Sequence, residues 1–121
     1  MSPTPINLPD KYALFDDHWN PRIIGELNDQ YIKIAKIAGE FIWHSHAEED
    51  ELFLVVRGKL LMDFRDKTVE VLPGQLLLVP RGTEHRPRTE EETQILMIEP
   101  KTTINTGTIE NERTRKELEV L

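Results

Sequence analysis

The chain has 121 residues, 15 basic and 22 acidic, a formal charge of −7 and no cysteine. This length suits one domain with its own core; the acidic balance argues against a nucleic-acid backbone as partner, and the lack of cysteine excludes thiol catalysis, thiolate ligands and disulfides while fitting a reducing compartment. No apolar run approaches the roughly 20 residues that span a membrane, and the N-terminus lacks the basic and apolar blocks of a secretory signal, so a cytoplasmic protein without a membrane partner is expected.

Residues 1–20 are rich in proline and read as an irregular arm, lying across the body of the fold or pairing at an edge. His18, between Asp17 and Trp19, stands alone and reads as a surface or packed residue. From Arg22 onward short extended segments follow one another: 22–27, a turn at Asn28 and Asp29, 31–38, and 41–46. Then come 51–56, 59–64, a turn at Arg65, Asp66 and Lys67, 68–72, a turn at Pro73 and Gly74, 75–79, and 94–98. Short strands at regular spacing indicate an all-β sandwich or barrel. Residues 110–121 hold the helix formers Glu112, Glu117 and Leu118 behind a candidate cap at Asn111, which predicts a short C-terminal helix. The expected organisation is one domain over 1–121, with an arm over 1–20, a barrel over 22–99 and a C-terminal extension over 100–121.

Three of the four histidines fall in two glycine-bounded stretches. Side chains on a strand alternate faces, so His44 and His46 project the same way, about 7 Å apart along the backbone. After the polar stretch 47–50 the chain returns with Glu51 near the start of the next strand, which sets a carboxylate beside the two imidazoles. The segment Val79-Pro80-Arg81-Gly82-Thr83-Glu84-His85 leaves an apolar strand through a proline and glycine turn and delivers His85 to the next one. Three imidazoles and one carboxylate suit a divalent iron, manganese, nickel, copper or zinc ion better than calcium or magnesium, which prefer oxygen.

The pattern of Gly39, His44-Ser45-His46, Glu51 and Gly58, followed by Gly74, Pro80, Gly82 and His85, resembles the two motifs of the cupin superfamily over roughly residues 31–99. The resemblance implies a small double-stranded β-helix, or jelly-roll, barrel, with the metal held by His44, His46, Glu51 and His85. Among cupins, the single-domain form looks most like the small proteins called mannose-6-phosphate isomerase-like.

Strand alternation also names the expected surroundings. Ile42 shares a face with His44 and His46, and Phe53 and Val55 share one with Glu51. With Leu60, Met62 and Phe64 from the following strand, they would make a largely apolar pocket around the polar cluster, with Ile42, Phe53, Val55, Met62 and Phe64 as its lining. Phe41, Trp43, Leu52, Leu54 and Val56 fall on the opposite face, and a strand apolar on both faces must be covered on both. A homodimer with isologous contacts is the expected cover. Arg57, Arg81, Arg86 and Arg88 read as solvated charges, as do the acidic runs Glu48-Glu49-Asp50 and Glu90-Glu91-Glu92.

Two functions fit these expectations. One is a metal-dependent enzyme on a small organic molecule, dioxygenase-type before isomerase or lyase, with Glu51 both ligand and possible base. The other is a binding or sensor domain that holds a ligand in the same pocket without turnover. The fold implied by the resemblance hosts both.

Overall fold

The computed structural model describes residues 3–121. Among them are one short helix, α1 (Leu8–Tyr12), and seven strands: β1 (Arg22–Leu27), β2 (Gln30–Glu40), β3 (Glu51–Arg57), β4 (Leu60–Phe64), β5 (Thr68–Val71), β6 (Leu76–Val79) and β7 (His85–Pro100). Every strand pair is antiparallel. The main order is β1-β2-β7-β3-β6, and β4 lies between β5 and β7.

β7 belongs to both halves of this arrangement. Its first residues pair with β4, from His85 opposite Phe64 to Arg88 opposite Leu61. Its last residues lie between β2 and β3, with Ile98 opposite both Ile32 and Leu52. Two sheets therefore share one long strand, the plan of an open jelly roll, and β1, β5 and β6 are left as edges. Between the two pairings the register slips: Ile37 faces Thr93 while Gly39 faces Thr89. Residues 90–92 pass opposite Ala38 alone, so the acidic run bulges outward into solvent as part of β7.

The core follows the alternation read from the sequence. On β3, Glu51, Phe53 and Val55 are buried while Leu52, Leu54 and Val56 are half-buried. Phe53 and Val55 pack with Ala35, Ile37, Leu60, Met62, Ile95 and Met97 between the sheets. A second cluster on the outer face of β1 and β2 joins Ile24 and Ile34 to Tyr12 and Phe15 of the arm. The arm does lie across the fold: the Trp19 indole N–H donates to the Ala38 carbonyl (2.8 Å) and its backbone N–H to that of Lys36 (3.0 Å). One turn of helix inside the arm was not expected; Asn7 caps it by accepting from the Asp10 N–H (3.1 Å), with Pro9 in its first turn.

Residues 110–121 do not form the expected helix. Their apolar residues, Leu118, Val120 and Leu121, crowd at the end instead of recurring at helical spacing, so a helix there would have no stripe to bury. The segment is extended and turned. Its last residues run beside β1, where the Ile23 N–H donates to the Glu119 carbonyl (3.0 Å) and the Leu121 N–H to that of Ile23 (2.9 Å). Segment 41–46 also departs from expectation: it carries no ladder, only a bridge between His44 and His85.

Candidate metal centre

Gly39, at φ +77°, sits at the register slip one residue before the end of β2. Left-handed backbone of this kind is open to glycine at little cost. The chain then lies against the start of β7, where the His44 N–H donates to the His85 carbonyl (3.0 Å) and the His85 N–H to that of His44 (2.9 Å). Gly82, at φ +76°, donates its N–H to the His46 carbonyl (2.8 Å) and so ties the second histidine to the turn before His85. Glu51 opens β3 opposite Val79. Three stretches of chain, segment 41–46 and the starts of β3 and β7, thus converge, and the four side chains they carry are all buried.

One donor atom from each of His44, His46, Glu51 and His85 lies within 4.8 Å of every other. That spread is close to a single coordination shell with bonds of about 2.0–2.2 Å. The Glu51 carboxylate approaches His46 Nε2 at 2.9 Å and His85 Nε2 at 3.3 Å. Yet Glu51 Oε1 and both ring nitrogens have no hydrogen-bond partner of acceptable geometry. Buried polar atoms are almost always paired. Orphans of this kind, facing one another, are what a shell of metal ligands presents, and the nitrogen-rich donor set fits a divalent transition ion.

Outer contacts orient two of the rings. His44 Nδ1 is 2.9 Å from the Ile42 carbonyl and His85 Nδ1 is 2.9 Å from that of Thr83. A carbonyl only accepts, so each Nδ1 carries the proton and each Nε2 offers its lone pair to the shared centre. Burial and the neighbouring His85 ring push His44 down to about 4, so it is neutral at ordinary pH. Burial alone would raise the Glu51 carboxyl, but the polar groups of Glu99, His46 and His85 packed against it outweigh burial and hold Glu51 well below the usual carboxylate range. Glu99 is pushed well above that range by its own burial and by the charge on Glu51. Of these two carboxyls, Glu51 keeps the negative charge that a cation needs.

A small cavity adjoins the four donors, lined by Trp19, Ala35, Ile37, Phe41, His44, Glu51, Phe53, Pro87, Ile95, Met97, Glu99 and Asn105 with Pro21 at its side. Of the five residues expected to line it, Phe53 does. Val55 and Met62 are fully buried in the core, with Phe64 packed against them. Alternation gives the face of a strand but not the depth at which side chains stop filling the space between sheets. Ile42 contributes its carbonyl rather than its side chain. Phe41, expected on the far face, is buried with its ring edge-on to His44 at 5.4 Å. Trp43 does face away, beneath the Arg65 guanidinium at 3.8 Å.

Lys33 and Glu99 escaped the sequence reading. They form an ion pair at 2.7 Å with both side chains 3% exposed. The available signal was a charged residue inside each of two apolar alternations, Ile32-Lys33-Ile34 and Met97-Ile98-Glu99. Trp19 and Asn105 lie outside any strand, where no period could have marked them. Arg86 and Arg88, read from the sequence as solvated charges, are half-buried, and both donate to Asp63. His18 is at the surface beside Glu92.

Comparison with known proteins agrees with this geometry. The family model described as "Cupin domain" matches residues 31–99. The uncharacterized protein YdbB of Bacillus subtilis (strain 168) is 46% identical over 79 residues, covering 64% of this chain and 70% of its own. The crystal structure of a cupin-2 domain containing protein from Shewanella frigidimarina superposes with a TM-score of 0.78 at 46% identity, covering 78% of this chain and 93% of that one. Protein NMB1881 from Neisseria meningitidis superposes at 0.74 with 30% identity, covering 80% and 99%. The four donors, the shared strand and these similarities converge on one conclusion, that the chain belongs to the cupin family.

Proposed function

We propose that this cupin is a metal-dependent enzyme acting on a small organic molecule, with one divalent transition ion held by His44, His46, Glu51 and His85. The observation that carries the reading is a set of four buried, mutually facing donor atoms beside an apolar cavity. When bound, the ion supplies a Lewis acid or redox centre. The chain's own residues do the rest. His44, His46 and His85 give neutral donors, the cavity walls keep bulk water from the bound molecule, and Glu51 is the anionic ligand and the candidate base. An oxygenase-type reaction is favoured over a sugar-phosphate isomerase because no cationic side chain lines the cavity to receive a phosphate.

A homodimer is part of the same proposal. Leu52 and Leu54 of β3 lie opposite Leu78 and Leu76 of the edge strand β6. Leu76 and Leu78 are 57% and 64% exposed, next to the part of the outer sheet face that the arm covers. An apolar edge of this kind favours a second copy as its cover.

Metal content by plasma mass spectrometry on anaerobically purified protein tests the centre. About one ion per chain is expected in the wild type, lost in His44→Ala and His85→Ala. A wild type that stays metal-free after reconstitution sinks the reading. Oxygen uptake over catechols, enols and keto acids with iron-loaded protein then separates enzyme from sensor: turnover abolished by His46→Ala supports the enzyme, and saturable binding without product supports the non-enzymatic binding domain.

A further inference from the structure

The stretch that matches the cupin family ends at residue 99, yet the chain beyond it reaches the segment that carries His44 and His46. Residues 103–115 form a strap stapled to itself. The Asn105 side chain donates to the Arg113 carbonyl (2.8 Å) and accepts from the Arg115 N–H (2.7 Å). Within that pair the buried Thr106 hydroxyl meets the Ile109 carbonyl at 2.6 Å and the Thr114 hydroxyl at 2.7 Å. Arg113 packs over the Trp19 and Phe41 rings at 5.9 and 5.5 Å and ties the strap to the body of the fold. A loop closed by its own side chains holds one shape and acts on its neighbours as a unit.

Its point of contact is Ser45, between the two histidines. Gly107, at φ +63°, lies so near that a Cβ there would overlap the Ser45 carbonyl oxygen and stand 2.8 Å from the carbonyl carbon. This approach lets the Thr108 N–H donate to the same oxygen at 3.1 Å. The next carbonyl, that of His46, accepts from the Gly82 N–H at 2.8 Å. These two carbonyls belong to the peptide planes before and after the His46 Cα. Each peptide is planar, so pinning both fixes φ and ψ between them and the direction in which the His46 side chain leaves the backbone. His44 and His85 have a further guide, an Nδ1 set against a carbonyl at 2.9 Å, whereas His46 Nδ1 has no hydrogen-bond partner among the described residues. Metal-binding histidines are ordinarily oriented through that second nitrogen. His46 is oriented from its backbone instead.

We propose that Gly107 is a positioning residue of the metal centre: its missing side chain admits the strap, which sets His46 through Ser45. This role rests on the metal centre proposed above. Any side chain at 107 must lift the strap, which breaks the Thr108 hydrogen bond, or turn the Ser45 peptide, and either change releases His46. Losing an outer support of a metal ligand lowers metal affinity by about 10–100-fold.

Gly107→Ala is compared with the wild type in full-length protein, by imidazole nitrogen NMR without metal and by zinc affinity in competition with a chelating dye. Gly58→Ala is the control, because its Cβ would strike Thr93 at the end of β3 remote from Glu51 and so destabilise the fold away from the four donors. In Gly107→Ala the His46 ring signals are expected to shift or broaden, those of His85 to stay, and zinc affinity to fall about 10–100-fold; Gly58→Ala should melt earlier yet keep the wild-type signals and affinity. Undisturbed His46 signals in Gly107→Ala, wild-type zinc affinity in that variant, or an equal loss of affinity in Gly58→Ala each overturns the assignment. If Gly107→Ala does not fold, Thr106→Val loosens the strap without filling the contact; it should move the same His46 signals, and a spectrum like the wild type's overturns the role. A wild type that takes up no zinc, while Gly107→Ala still disturbs His46, keeps the strap's hold on that ring and removes the metal reading. Tight zinc binding that Gly107→Ala leaves unchanged does the reverse.

Discussion

His44 and His85 are oriented by the same device, an Nδ1 tied to a carbonyl two residues earlier, at 2.9 Å in each case. Asp63 shows the same economy on the outer side of the fold. Its carboxylate, with a side chain 7% exposed, receives Arg86 at 2.9 Å, Arg88 at 2.8 Å and Thr68 at 2.7 Å. Burial would raise it, but those hydrogen bonds prevail and bring it from 3.8 down to about 2. A carboxyl depressed on folding contributes stability that is present above its unfolded value and lost as pH falls through the folded one. Asp63→Asn should therefore cost about 1–3 kcal/mol at pH 7, and its gap from the wild type should close on acidification between pH 3.8 and about 2. Urea unfolding at pH 7, 5, 3.5 and 2.5 checks both points; a gap that does not narrow refutes the assignment. The four candidate ligands were legible because imidazole and carboxylate carry their chemistry with them. Asp63 was not, since nothing in Met62-Asp63-Phe64 says that two arginines on another strand will meet it.

At the scale of elements, β7 joins the two sheets, and the hairpin after β3 sets where its second half lies. Gly58 turns that hairpin at φ +94°. A Cβ there would lie 2.4 Å from Thr93 Oγ1 and 2.9 Å from its Cα. Thr93 is fully buried and its hydroxyl lies 3.1 Å from the Lys59 carbonyl and 3.1 Å from that of Glu91, so it has little freedom to move. Gly58→Ala should destabilise by about 2 kcal/mol or more, through clash and left-handed strain together. A thermal or urea melt close to wild type would contradict this. Strands with clear alternation were read to within a residue or two, as on β1 and β3. Segment 41–46 misled because alternation was assumed where no ladder runs, and Phe41 turned inward. The terminal segment misled because helix propensity is a weak prior once the chain finds hydrogen bonds elsewhere, here with Ile23 and between the Thr106 and Thr114 hydroxyls at 2.7 Å.

For the whole molecule, the outer face of β3 and β6 decides the proposed assembly. In an isologous dimer each exposed leucine is buried once per subunit. Replacing Leu76 and Leu78 together by glutamate should convert a dimer to monomer by light scattering, while leaving metal content unchanged because neither side chain faces the cavity. A wild type that is monomeric, or a double variant that remains dimeric, refutes that interface. The barrel and its four donors could be read from motif spacing, but assembly depends on how much of a face the rest of the chain covers. The arm takes part of it through Tyr12 and Phe15, a long-range outcome that no local pattern encodes.

The Lys33 and Glu99 pair has a consequence for how this protein can change by descent. Loss of either partner alone strands the other inside the sheet, at a cost of about 3–5 kcal/mol, whereas exchange of both for apolar residues is often neutral. Among related chains the two positions should accordingly turn over as a couple.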